Sequence, residues 1–408
     1  MNAPDTPTEG LEPAPGASAA LPGSSDALAV ARLARMARPN AGATPLMVIC
    51  ARPTDAQRLQ EEAGWIDPAL RVTLFPDWET LPYDGFSPHG DLISERLATL
   101  HRIRQREFDV LIVPATTALT RVAPPAFLAA YTFFLKQGEP LSIDRLRAQL
   151  TLGGYSHVSQ VVAPGEYCVR GGLVDLFPMG SSLPFRIELM DQDIESIRTF
   201  DADTQRTIYK VNDVRLLPAR EFPTDDNARA QFRARFREAF EGDPSKSNIY
   251  KDVSNGITPP GIEYFLPLFF DEVATLFDYL PAGTRIALHG DIQAEITEFW
   301  RDTQSRYRLL SGDRTRPVLP PDALYLGAEA FFLEARRFER LALDGSTLRA
   351  FGIPEVSVER RAADPLHRLK AFLAVQGSAQ ARQPAHDAAA GAAMPRRVLL
   401  LAESAGRR

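Results

Sequence analysis

Cysteine is almost absent from this chain: Cys50 and Cys168 are the only two in 408 residues, and they lie far apart. That excludes a disulfide framework and a cysteine-built zinc site. The six histidines (His89, His101, His157, His289, His367, His386) fall at no ligand spacing, so no metal centre is expected. No apolar run reaches the roughly 20 residues that a membrane span needs. The opening stretch MNAPDTPTEGLEPAPGASAA carries acid where a signal peptide would carry a basic and then an apolar segment. A cytoplasmic protein without a membrane partner is expected. Positive charge is not in excess either: the formal net charge is -6, against a broad non-specific nucleic-acid surface. What remains is a globular composition, 45% hydrophobic and 24% charged, at a length that calls for more than one core.

Residues 1–25 are Pro, Ala, Gly and Ser with few large apolar side chains, and a disordered tail is expected there. Leu28–Met36 then reads as a short amphipathic helix. Strand and helix alternate next. Pro45–Cys50, Val72–Phe75 and Asp109–Val113 read as buried strands, and Thr54–Ala63 and Asp91–Arg104 as helices, the former capped by Thr54 or Asp55. This order implies a parallel sheet with right-handed crossovers.

The pattern changes after about residue 130. Leu141–Leu150 is helical with Ser142 as N-cap, and tightly spaced strands follow at Val158–Val162, Glu166–Arg170, Leu173–Leu176, Phe185–Met190, Ser196–Phe200 and Val214–Leu217. Without helices between them, they indicate an antiparallel sheet in a small α+β insert. Thr224–Phe240 returns to helix with Thr224 as its cap, and Thr284–Leu288 resumes the first sheet. Residues 376–395 read as a low-complexity linker and Val398–Ala402 as the strand of a further α/β domain. The expected organisation is therefore a tail at 1–25, an α/β domain at 26–130 and 221–350, an insert at 131–220, and a linker with the truncated start of another domain at 351–408.

Three stretches carry a family resemblance. They are Pro76–Asp84 (PDWETLPYD) with Ser87-Pro-His89, Gly165–Pro178 (GEYCVRGGLVDLFP) with Pro184–Glu188, and Pro260–Tyr264 with Leu276–Pro281 (LFDYLP). Together they resemble the transcription-repair coupling factor (Mfd) family across nearly the whole chain from about residue 25. The second and third also resemble the nucleotide-excision-repair protein UvrB. The resemblance implies a degenerate RecA-like, P-loop-NTPase-like parallel-sheet domain with an inserted α+β UvrA-binding domain. It also implies UvrA as partner, with RNA polymerase and DNA engaged through domains further along the chain. Those domains would carry the ATP- and Mg²⁺-dependent motor, and a C-terminal domain would mask the UvrA-binding face.

A P-loop cradles phosphates with backbone amides and one Lys. At the corresponding place stands Leu21–Leu28, which keeps Gly23 and Ser24 but has no second Gly and no Lys, while Asp26 would repel phosphate. UvrB-type proteins end the strand after LFDYLP in an Asp-Glu pair; here it ends in His289-Gly290, with Asp291 displaced. No catalytic residue and no cofactor are therefore assigned, and ATP hydrolysis is not expected of this chain. The segment Asp84–Gly90 is also too short for the aromatic hairpin with which UvrB clamps damaged DNA.

A period of two in Phe185–Met190 sets Phe185, Ile187 and Leu189 on one face and Arg186, Glu188 and Met190 on the other. In Tyr167–Arg170 it buries Tyr167 and Val169 and turns Arg170 outward. By resemblance, the UvrA-contacting positions are Arg170, Arg186 and Met190. The third is aromatic in other members; Met fills interface pockets adaptively. Asp77, Glu79 and Asp84 read as loop-fixing groups, Trp78 and Tyr83 as packing residues, and Phe232, Phe236 and Phe240 as core. Arg229, Arg233, Arg235 and Arg237 read as a solvated helix face. The competing reading is a helicase-like module that binds duplex or repair-bubble DNA.

Overall fold

The computed structural model describes residues 24–36, 44–343 and 358–372. The chain divides into two units, 1–352 and 353–408. The described part of the second is a short stretch ending in a helical turn, where Lys370 bonds Asp364 at 2.9 Å.

In the first unit, α1 (Ser25–Arg35) precedes β1 (Leu46–Cys50), α2 (Pro53–Ile66), β2 (Val72–Leu74), α3 (Gly90–Gln105) and β3 (Val110–Pro114). Every residue of β1 and β3 is buried, which is why both read as unbroken apolar runs. The short helices α4 (Ala115–Leu119) and α5 (Pro125–Ala130) lead into the insert.

The insert holds β4 (Phe133–Lys136), α6 (Ile143–Leu152), β5 (Ser156–His157), β6 (Glu166–Arg170), β7 (Leu173–Leu176), β8 (Phe185–Met190), β9 (Asp193–Phe200), β10 (Thr207–Val211) and β11 (Asp213–Leu216). Six strands form one sheet in the order β10-β9-β8-β7-β6-β5, antiparallel apart from the short parallel pair β5–β6. Entry strand β4 and exit strand β11 zip together separately, Phe133 opposite Leu216 and Lys136 opposite Asp213. They form a stem that closes the insert at its root.

The chain then forms α7 (Asp226–Ala239), α8 (Asn248–Ser254), α9 (Leu276–Tyr279), β12 (Arg285–His289), α10 (Ile292–Leu310), α11 (Pro321–Leu324), α12 (Ala328–Ala335) and β13 (Glu339–Leu341). β12 pairs in parallel with β1, and the scaffold sheet has the order β13-β12-β1-β3-β2, all parallel. The architecture is the expected one, a mixed α/β scaffold with a parallel sheet and an α+β insert, consistent with a RecA-like origin.

A buried ion pair ties the insert's exit to the scaffold. Arg96 of α3 donates from Nε to Glu221 at 2.7 Å, and both side chains are nearly inaccessible. Trp78 Nε1 donates to the same carboxylate at 3.0 Å, and the Arg96 guanidinium lies 4.3 Å from the Phe75 ring centroid. Close packing adds to this. Gly180 sits at φ +78°, and a β-carbon there would lie 2.7 Å from that of Ala98.

Several local expectations need correction. Val158–Val162 is not a strand: the Val162 and Ala163 N–H groups donate to the Glu166 side chain, at 2.8 and 2.9 Å, and hold a loop. The strand proposed at Val214–Leu217 pairs with β4 in the stem and not with the larger sheet, and β4 and β10 were not anticipated. Helix α2 starts at Pro53, whose missing N–H suits a first turn, so neither Thr54 nor Asp55 is its cap. Asp225, not Thr224, caps α7, accepting from the Ala228 N–H at 2.9 Å. Helix α1 begins earlier than expected, at Ser25. Of the tail expected at 1–25, residues 1–23 lie outside the described residues while Ser25 opens α1; the linker at 376–395 and the strand at 398–402 also lie outside them.

Candidate functional site

The insert's large sheet has two unlike faces. Tyr167, Val174, Leu176, Ile187 and Ile197 join the main core. On the opposite face β7 sets Asp175 across from Cys168 of β6 and Arg186 of β8. Asp175 is 1% exposed and holds both arginines: Arg186 reaches it through Nε at 2.7 Å and Nη2 at 3.0 Å, and Arg170 through Nη2 at 2.5 Å. Arg186 also lies over the Phe200 ring, 4.8 Å from its centroid, and donates to the Gln205 carbonyl at 3.2 Å. Its bonds to Asp175 raise its already high pKa.

The three positions assigned by resemblance do not share one environment. Arg186 is largely enclosed, with a 17% exposed side chain, so the freely solvated Arg186 expected from alternation is corrected: its fork is spent on an internal carboxylate. Arg170 stays half exposed at 52%, and Met190 is 61% exposed at the end of β8. The Gly171-Gly172 turn after Arg170 runs beside that end, with the Leu189 N–H donating to the Gly172 carbonyl at 2.8 Å. Asp175 is the residue that sequence reasoning missed. Its signal is the alternation in Leu173–Leu176, which places a lone acid in phase with the two arginines.

The second set of candidates also converges. Ser24 precedes α1 and Gly23 lies outside the described residues. The Asp26 carboxylate accepts from the Ala27 N–H at 2.7 Å, from Arg58 at 2.5 and 3.0 Å, and contacts His289 Nε2 at 2.9 Å. Burial opposes its ionisation, but the bonds to His289 and Arg58 outweigh that and hold its pKa at about 2. Gly290 turns the chain at φ +84°, where a β-carbon would come within 2.9 Å of that of Ala51. Asp291 caps α10, accepting from the Ala294 N–H at 3.0 Å. These residues do not fit a nucleotide triphosphate. The buried Asp26 carboxylate takes Arg58, whose other ion-pair partners are Asp55 and Glu62, so the described side chains present acid where a triphosphate needs cations.

The remaining candidates are structural. Asp77 accepts from the Glu79 N–H and the Thr117 hydroxyl, at 2.8 and 2.7 Å, and Asp84 from the Gly85 N–H at 2.7 Å. Trp78 and Tyr83 are buried, Tyr83 lying 6.0 Å from the ring of Tyr264 and from that of Tyr307. On α7, Arg229 pairs with Asp226, Arg235 with Asp271, and Arg237 contacts the Tyr250 hydroxyl. Among the described residues no cluster of His, Cys, Asp or Glu is placed to hold a metal, and no helix is long and apolar enough to cross a membrane.

The fold and this face define a class: a parallel α/β scaffold that carries a UvrB interaction domain, the family description that residues 133–222 match. The resemblance to transcription-repair coupling factors is borne out over most of the chain. It is 41% identical over 351 residues to the transcription-repair-coupling factor of Escherichia coli K12, covering 84% of this chain and 30% of that protein. With the Haemophilus influenzae factor it shares 42% identity over 314 residues, covering 74% and 27%. The Bacillus subtilis factor is 28% identical over 259 residues, covering 60% and 22%. The chain spans about three tenths of the length of the first of these relatives.

Proposed function

We infer that this chain is the UvrA-recruiting module of a transcription-repair coupling factor, acting in transcription-coupled nucleotide excision repair in the cytoplasm. The observation that carries the reading is the Arg170–Asp175–Arg186 cluster on the face of the UvrB interaction domain's sheet opposite the main core, beside the small cluster of Val161, Cys168, Phe177 and Phe200. Asp175 stiffens both arginines, so less side-chain freedom is lost when a partner docks. Arg170 offers the exposed charge, Met190 an adaptable apolar contact, and Arg186 braces the patch from beneath. The scaffold presents the insert and does not hydrolyse ATP. RNA polymerase and DNA are engaged through other parts of the longer protein, and a C-terminal domain there masks the face. The rival DNA-binding reading is weakened by the pairing of Arg229, Arg235 and Arg237 with groups of this chain.

A UvrA pull-down with Arg170→Ala, Arg186→Glu and Met190→Asp tests the assignment. Each folded variant should retain less UvrA than the parent chain, and undiminished capture by all three would refute it. Masking is tested in parallel: this chain should bind UvrA more tightly than the full-length factor does.

A further inference from the structure

Where the insert rejoins the scaffold, just beyond β11, Arg220 lines two adjoining clefts of about 220 and 420 Å³. Gly154 and Ser156 border both. The aliphatic stem of Arg220 is held in place: a β-carbon on Gly154, at φ +82°, would lie 3.1 Å from Arg220 Cγ. Its guanidinium makes no hydrogen bond or ion pair with any described residue. Partial burial removes some of its hydration and lowers its pKa, an effect that the charge of Glu263 only partly offsets. Arg220 is only partly buried, so its guanidinium remains open to a partner from solvent.

The neighbouring acids are already engaged. Glu263 accepts from the Ser87 hydroxyl at 2.8 Å, and burial pushes its carboxyl pKa up. Glu221 belongs to Arg96 and Trp78, Glu166 to the Val162 and Ala163 N–H groups, and Asp225 to Tyr131 and Ala228. The second arginine of the larger cleft, Arg229, is paired with Asp226. Among the described residues that line the two clefts, Arg220 is therefore left as the open cation.

We propose that Arg220 anchors a binding site for a single carboxylate, presented by an acidic side chain of a polypeptide ligand. The planar guanidinium offers two parallel N–H donors that match one carboxylate. The hydroxyls of Thr224 and Thr258 line the same cleft and can donate beside it. Charge balance selects a carboxylate over a phosphate. A phosphate group brings up to two negative charges into clefts that Glu166, Glu263, Asp225 and Asp226 already line. A nucleic-acid strand would bring more.

The test follows the Arg220 Nε–H resonance by NMR, assigned through its loss in Arg220→Ala. The full 408-residue chain is titrated with glutamate capped at both ends, with inorganic phosphate, and with a short DNA duplex. The capped glutamate should give a saturable shift, phosphate a weaker one and the duplex none. Other resonances of the cleft should report affinity about ten-fold or more lower in Arg220→Ala, the effect of losing a charged hydrogen-bonded pair. Arg220→Lys should bind more weakly than the parent chain, since lysine has no fork, and it keeps the test valid if the alanine variant misfolds. No saturable shift, equal binding by Arg220→Lys, or tighter binding of phosphate or duplex would overturn the proposal.

Discussion

Two aspartates, one in the scaffold and one in the insert, each hold two side chains of basic residues, yet they leave different surfaces behind. Asp26 is 3% exposed, and its partners Arg58 and His289 are 30% and 16% exposed. Asp175 is 1% exposed, with Arg186 at 17% but Arg170 at 52%. At Asp26 neither partner is more than 30% exposed, and a helix is tied to the sheet. At Asp175 one of two arginines still faces solvent on a rigid base. The same chemistry closes a site in one place and builds a presenting surface in the other. The difference lies in how far the second cation stands from solvent.

The comparison can be broken first at its centre. Asp175→Ala leaves Arg186 enclosed without its carboxylate, and removing one partner of a buried pair costs about 3 kcal/mol. Urea unfolding should show that loss, and UvrA binding should fall with it because both arginines lose their anchor. A loss well under 1 kcal/mol would mean that Arg186 relaxes to solvent, contrary to an enclosed cluster.

Next is the acid response of the scaffold cluster. The Asp26 pKa is depressed to about 2 in the folded chain. The stability it confers is therefore full above the unfolded carboxylate pKa, about 3.9, and is lost as pH falls through about 2. The shift corresponds to on the order of 2 kcal/mol. Asp26→Asn should flatten the acid limb of the stability curve between those two values, and a limb of unchanged steepness would show that other groups control it.

Smaller still is the expected effect of nucleotide. ATP with Mg²⁺ should neither raise the melting temperature nor be turned over, and Asp26→Ala should not restore either, since no lysine stands ready. Measurable turnover by the purified chain, lost on mutating Asp291, would contradict the closed site.

Much of this was legible in the sequence, for identifiable reasons. β1 and β3 are buried at every position, so their apolar runs admit one reading. Ser142 caps α6 as expected, because a side-chain cap is a local interaction; the Arg145 N–H donates to it at 3.4 Å. Alternation in β8 placed Arg186 on the face that carries Asp175. What could not be read depended on pairing between distant segments. The stem joins Phe133 to Leu216, and the Asp26–His289 contact links opposite ends of the scaffold. The two arginines were visible, but the register that delivers both to Asp175 was not. Val158–Val162 misled for a related reason, since a β-rich composition says nothing of the Glu166 carboxylate that takes its neighbouring N–H groups.

The most direct measurement of the central claim is a UvrA-binding titration of Arg170→Ala against the parent chain, with thermal melts of both. Arg170 is half exposed, so its loss should cost no more than about 1 kcal/mol of stability. The account predicts binding weakened about ten-fold or more, with near-unchanged melting. Equal affinity in the folded variant would contradict it.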